Sequence, residues 1–134
     1  MAKTKSQLLN QLSKFTRAYL IAAYWTNDDS EGLGGQDYRF TSGPKRMDEK
    51  LTKDGLLIAI KTCKEFQAQN AELLAQAGDD EQNGIDFWLT RNGHGSGFLD
   101  RDYDESVKES LANAARKMGG SDLYKGDNGK LYFI

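Results

Sequence analysis

The sequence predicts an α+β fold: a single domain, 1–134, of helices packed on a small antiparallel sheet of two hairpins, in the order α-α-β-β-α-β-β. Three observations predict it. Apolar residues recur at three- and four-residue steps over three stretches, the period of a helical face. Two shorter stretches, rich in aromatic and aliphatic residues, surround the turn sequences Asn92-Gly93 and Gly126-Asp127-Asn128-Gly129. A length of 134 residues, 38% of them hydrophobic, supplies one modest core and not two.

The first helix is expected over residues 6–25, where Leu8, Leu12, Phe15, Tyr19 and Ala22/Ala23 form one stripe. From Ala18 to Trp25 no residue is charged, so its last turns are expected to be buried on several sides. Residues 27–50 hold four glycines and the only proline, Pro44, without a period. They read as a long loop with a short extended piece around Tyr38-Arg39-Phe40, and a mobile linker is the plainer alternative. A second helix starts near 48 or 54 and runs to 77 on Leu56, Ala59/Ile60, Cys63, Phe66 and Leu73/Leu74, ending at Gly78. Cys63 lies on that apolar stripe, the place of a buried, inert thiol. Asp79 to Gly84 reads as a polar turn. A third helix is expected over 104–118, opened by a capping box on Asp102 and Glu105 and closed by Gly119-Gly120. The tail, 123–134, reads as an aromatic hairpin.

Ile85 to Arg101 is the most informative stretch. Asn-Gly supplies the positive φ that a type I′ turn needs, so Ile85–Thr90 is expected to be a strand returning through Asn92-Gly93. Counting from that turn pairs Arg91 with His94, Leu89 with Ser96, Phe87 with Phe98 and Ile85 with Asp100. Trp88 then lies opposite Gly97, and Thr90 opposite Gly95. Arg91, Asn92 and His94 form a polar cluster on the turn, with glycines that let a partner approach the backbone. Turn and bulge geometry alone also accounts for those glycines. Trp88, Arg91, Asn92, His94, Asp100 and Arg101 are the candidate binding residues.

Composition chiefly excludes. With 18 Lys+Arg against 20 Asp+Glu the chain lacks the basic footprint of a sequence-independent nucleic-acid binder. One cysteine makes no internal disulfide, and with one histidine it builds no usual zinc site, so no metal or cofactor is expected. No apolar run approaches the ~20 residues of a membrane span, and the N-terminus carries no signal-peptide core. Gly93-x-Gly95-x-Gly97 and Glu31-Gly32-Leu33-Gly34-Gly35 lack the spacing and following helix of nucleotide-binding loops. Asp100-x-Asp102-x-Asp104 starts like a calcium loop, but Glu105 stands where the glycine belongs. Charge is uneven: residues 79–105 carry eight acids against two arginines, while residues 1–20 carry four bases and no acid. Solvated faces explain this, as does an acidic surface that steers a basic partner.

Asp86-Phe87-Trp88-Leu89-Thr90-Arg91-Asn92-Gly93-His94-Gly95, followed by Gly97-Phe98 and Asp100-Arg101, resembles a segment shared by small uncharacterised bacteriophage proteins, D-F-W-L-T-R-N-G-H-G-x-G-F-W-D-R. The likeness extends loosely to Ala23-Tyr24-Trp25-Thr26, Cys63-Lys64-Glu65-Phe66 and Gly126-Asp127-Asn128-Gly129. It departs at Leu99, where the family has Trp, and no pattern matches 27–50. The resemblance implies a phage or mobile-element accessory protein acting in the host cytoplasm, and carries no catalytic role. The first functional reading is a binding protein that inhibits or modulates a host protein, with a bacterial antiviral defence complex as the target class. A small enzyme or ligand-sequestering protein would use His94 as acid/base or anion ligand and Arg91 as phosphate clamp. A nucleic-acid-binding protein, disfavoured by charge, would stack bases on Trp88 and Tyr103.

Overall fold

A computed structural model describes residues 2–26, 50–94 and 97–133. The expected long loop, apart from Lys50, and Gly95 and Ser96 of the expected hairpin lie outside the described residues. Helices α1 (Lys5–Asn10), α2 (Lys14–Trp25), α3 (Lys53–Gln69), α4 (Ala71–Ala75), α5 (Asp80–Arg91) and α6 (Glu105–Lys117) precede one two-stranded sheet, β1 (Leu123–Lys125) and β2 (Leu131–Phe133). A short 3-10 turn, Phe98–Asp100, links α5 to α6. The fold is α+β, mostly helical, with one hairpin among the described residues.

The first expected helix is two helices. Thr4 opens α1 with a capping box to Gln7, and Ser13 opens α2 by accepting from the Thr16 amide at 3.1 Å. The second is broken at Asn70, whose amide Nδ2 turns back to donate to the Phe66 carbonyl at 2.9 Å. Its stripe is as expected: Leu56, Ala59, Cys63 and Phe66 are buried. The third matches its expected span within a residue, although Asp104 and not Asp102 is the N-cap and makes no side-chain cap bond. The tail hairpin stands, with Leu123 opposite Phe133 and Lys125 opposite Leu131.

The expected strand at Ile85–Thr90 is instead the second half of α5. Its start was the "polar turn": Asp79 accepts from the Gln82 amide at 2.8 Å, and Asp80 and Glu81 sit in the first turn at the positive pole of the helix. Its end is the Asn92-Gly93 pair. Gly93 takes φ +69° at C′, His94 N–H donates to the Leu89 carbonyl at 3.0 Å, and Gly93 N–H to Thr90 at 3.2 Å, which is a Schellman closure. A type I′ turn and a Schellman cap both need a positive φ, so the same glycine serves either. Consequently Arg91 does not pair with His94 across strands, and the register built on that pairing falls with it.

Helix α2 is the centre of the core. From Ala18 to Trp25 every residue but Ile21 and Trp25 is buried, so the expected burial on several sides holds up to Tyr24 and stops at Trp25. Phe66 stacks on Phe87 with centroids 4.0 Å apart, and Tyr19 meets Trp88 edge-on at 5.3 Å. Burial pushes the Tyr19 phenol up to about 12 against the opposing pull of Arg91, and pushes the Cys63 thiol up to about 12 as well. Both stay protonated at neutral pH, so Cys63 is a packed apolar group. Thr52, which caps α3, donates its amide to the Leu131 carbonyl at 2.9 Å and ties that helix to β2.

Candidate functional site

The six candidate residues separate into two groups once α5 is a helix. Arg91 sits in its last turn and reaches the C-terminus of α6. Nε donates to the Gly119 carbonyl at 2.7 Å, Nη2 to Met118 at 3.2 Å and Nη1 to the Tyr19 hydroxyl at 3.0 Å. Its guanidinium also lies 5.5 Å from the Phe87 ring centroid. A cation that closes the last carbonyls of a helix satisfies orphan acceptors and the macrodipole together. Asn92 adds a second tie, donating to the Trp88 carbonyl at 3.0 Å and accepting from the Ser121 amide at 2.8 Å.

Arg101 returns to the middle of α5. Its Nε and Nη2 grip the two oxygens of Asp86 at 2.9 and 2.8 Å, a bidentate fork on a carboxylate that is 0% exposed. Gln82 Nε2 donates to the same carboxylate at 3.0 Å. The Asp86 hydrogen bonds hold the Arg101 guanidinium still further above its ordinary range. Thr90 completes the attachment, its Oγ1 accepting from the Phe98 amide at 3.2 Å. At Gly97, φ is +127° and a Cβ would stand 2.2 Å from that same Oγ1, so glycine is what lets the chain lie along α5 here. Asp100, by contrast, is exposed.

The acidic segment is also placed by these contacts. Arg101 meets Asp86, and the Tyr103 hydroxyl lies beside Gly78, so Asp102–Glu105 gather toward the N-terminal half of α5. The expected acidic surface is therefore at the opposite end of α5 from Asn92 and His94. A helix of 12 residues separates those ends by roughly 18 Å. Burial and the Asp86 charge raise the Tyr103 phenol from its usual value, with Arg101 opposing.

Trp88, Asn92 and His94 do come together. They line a pocket of about 290 Å³ with Thr26 from the end of α2 and Ser121, Asp122 and Leu123 from the start of β1. The Trp88 indole donates to Thr26 Oγ1 at 2.8 Å, and Thr26 in turn donates to the Ala22 carbonyl at 2.8 Å. Those bonds, with the two of Asn92, use up much of the polar lining. The His94 imidazole and the Asp122 carboxylate are exposed and make no side-chain bond to another described residue. One residue before Thr26, Trp25 is 63% exposed on a helix whose other aromatics are buried. Thr26, Ser121, Asp122 and Trp25 escape a reading of the sequence, because no local spacing joins the ends of α2, α5 and α6.

Among the described residues no group of three His, Cys, Asp or Glu is placed to hold a metal ion, and no helix is long and apolar enough to cross a membrane. Comparison of the chain with protein-family models, curated proteins and solved structures finds no match.

Proposed function

We propose that the chain is a phage-type accessory protein that binds a host protein and inhibits or modulates it, a component of antiviral defence being the target class. The contact surface is the pocket at the ends of α2 and α5, together with Trp25. The observation that carries this reading is an exposed tryptophan one residue before Thr26, which lines a pocket whose free groups are an imidazole and a carboxylate. Tryptophan is among the residues most enriched in the energetic centres of protein interfaces, and polar rims around such anchors set specificity. The resemblance of residues 86–101 to small phage proteins supplies the biological setting.

Arg91 enters this reading as a fold element. Each of its three nitrogens donates inward, which argues against a clamp aimed at an incoming phosphate. The test is capture of bacterial host proteins on immobilised wild-type chain and on a Trp25→Ala/His94→Ala double variant, with circular dichroism confirming that both are folded. A stoichiometric partner is expected on the wild type, weakened at least about tenfold in the variant, the effect of a single hot spot. A partner retained equally by both would remove this surface. No partner, with a small molecule co-purifying on the wild type alone, would establish ligand sequestration in its place.

A further inference from the structure

We propose that a second pocket, between α1, the start of α2 and α3, binds a soluble medium-chain carboxylate. It shares no lining residue with the first. Its volume is about 240 Å³, and Leu8, Leu12 and Ile60 form its apolar part, with Lys3 and Lys64 at its polar edge. None of these three aliphatics is fully buried, and α1 has no buried residue at all. Leu8 of α1 and Leu12 just after it thus pack against the core while staying partly open to the cleft.

Charge identifies the head group. Residues 2–26 contain Lys3, Lys5, Lys14 and Arg17 and no acid, so neither α1 nor α2 has a carboxylate in its first turn. The Lys64 ammonium has no ion pair among the described residues, and Lys3 spends one donor on the Gln11 side-chain oxygen. An ammonium carries three donors, so Lys3 keeps capacity for an anion. Size limits the tail: sites for drug-sized ligands run from about 300 to 1,000 Å³, and this space suits one short chain. Each methylene moved from water into the cleft is worth roughly fourfold in affinity. A carboxylate with a medium-length aliphatic tail satisfies both halves of the pocket; acetate satisfies one, and an alcohol of equal length the other.

The test is a methyl and amide NMR titration of the full chain with sodium octanoate, beside octanol, acetate and octyltrimethylammonium. Octanoate is expected to shift Leu8, Leu12 and Ile60 saturably. Octanol should bind about tenfold more weakly for want of a charge-assisted contact, and the other two probes should leave these residues unmoved. Lys64→Gln, which breaks no internal bond, should weaken octanoate by a similar factor and leave octanol unchanged. Equal binding of octanoate and octanol, shifts centred elsewhere, or indifference to Lys64→Gln would overturn the proposal. Sedimentation with phosphatidylglycerol vesicles in the absence of octanoate binding would overturn it too, in favour of a lipid surface.

Discussion

Gly84→Ala is expected to destabilise the fold by about 3 kcal/mol or more, the upper end of overpacking costs. In an exposed helix the same change would help, since alanine is favoured over glycine by about 1 kcal/mol. Here the helix crosses α2 at a buried glycine. A Cβ on Gly84 would stand 2.2 Å from the Phe15 carbonyl oxygen, 3.0 Å from its carbon and 3.2 Å from the Ala18 methyl. A backbone carbonyl cannot swing aside as a side chain does, so α2 and α5 must separate. That separation loosens Tyr19 against Trp88 and Phe15 against Phe87, whose rings are 5.3 and 6.0 Å apart. Urea denaturation measures the cost. A variant as stable as the wild type would mean that the helices do not cross at this distance.

Arg101→Ala is expected to cost roughly 2–4 kcal/mol. Breaking a buried pair by removing one partner typically costs about 3–5 kcal/mol, because the other charge is left buried. The lower figure applies here because the Arg101 side chain is 34% exposed while Asp86 is 0% exposed, so water reaches one side of the pair. Without the fork, Asp86 keeps only Gln82, at 3.0 Å, among the described residues. The loss should exceed that of Arg101→Lys, which retains a charge but not the two parallel bonds. Adding Asp86→Asn to Arg101→Ala should recover part of the stability, since a neutral amide is cheaper to bury unpaired than a carboxylate. Equal stabilities for wild type and Arg101→Ala would show that the pair does not anchor the 97–101 segment to α5.

The helical stripes were legible because their period is local: Leu56 to Phe66, and Val107 to Ala115, each repeat within one element. So was the last hairpin, whose turn and aromatic strands lie within a few residues of one another. The α5 segment was not legible, for a physical reason. Ile85 to Arg91 is apolar or partnered on all faces, so alternation and helical period do not separate there. Gly84 looks like punctuation until the Phe15 carbonyl is known to lie against it. Gly93 provides a positive φ that hairpins and helix ends share. Within the decamer, Asp86, Thr90, Arg91 and Asn92 have their partners at Arg101, Phe98, Gly119 and Ser121, contacts that need the tertiary fold. Trp88, expected on the face opposite the Arg91-Asn92-His94 cluster, instead lines one pocket with Asn92 and His94, because the end of a helix and not a strand pair gathers them.

This division of the segment is the central claim: from Asp86 to Asn92 the polar side chains hold α5 to its neighbours, and His94 faces outward. Chemical denaturation of Arg91→Gln beside His94→Ala tests it most directly. Arg91→Gln should lose about 2 kcal/mol, because two carbonyls at the end of α6 and the Tyr19 hydroxyl lose a charged donor. His94→Ala should stay within about 0.5 kcal/mol of the wild type, as surface changes away from such contacts do. A small loss for Arg91→Gln together with a large one for His94→Ala would contradict the account.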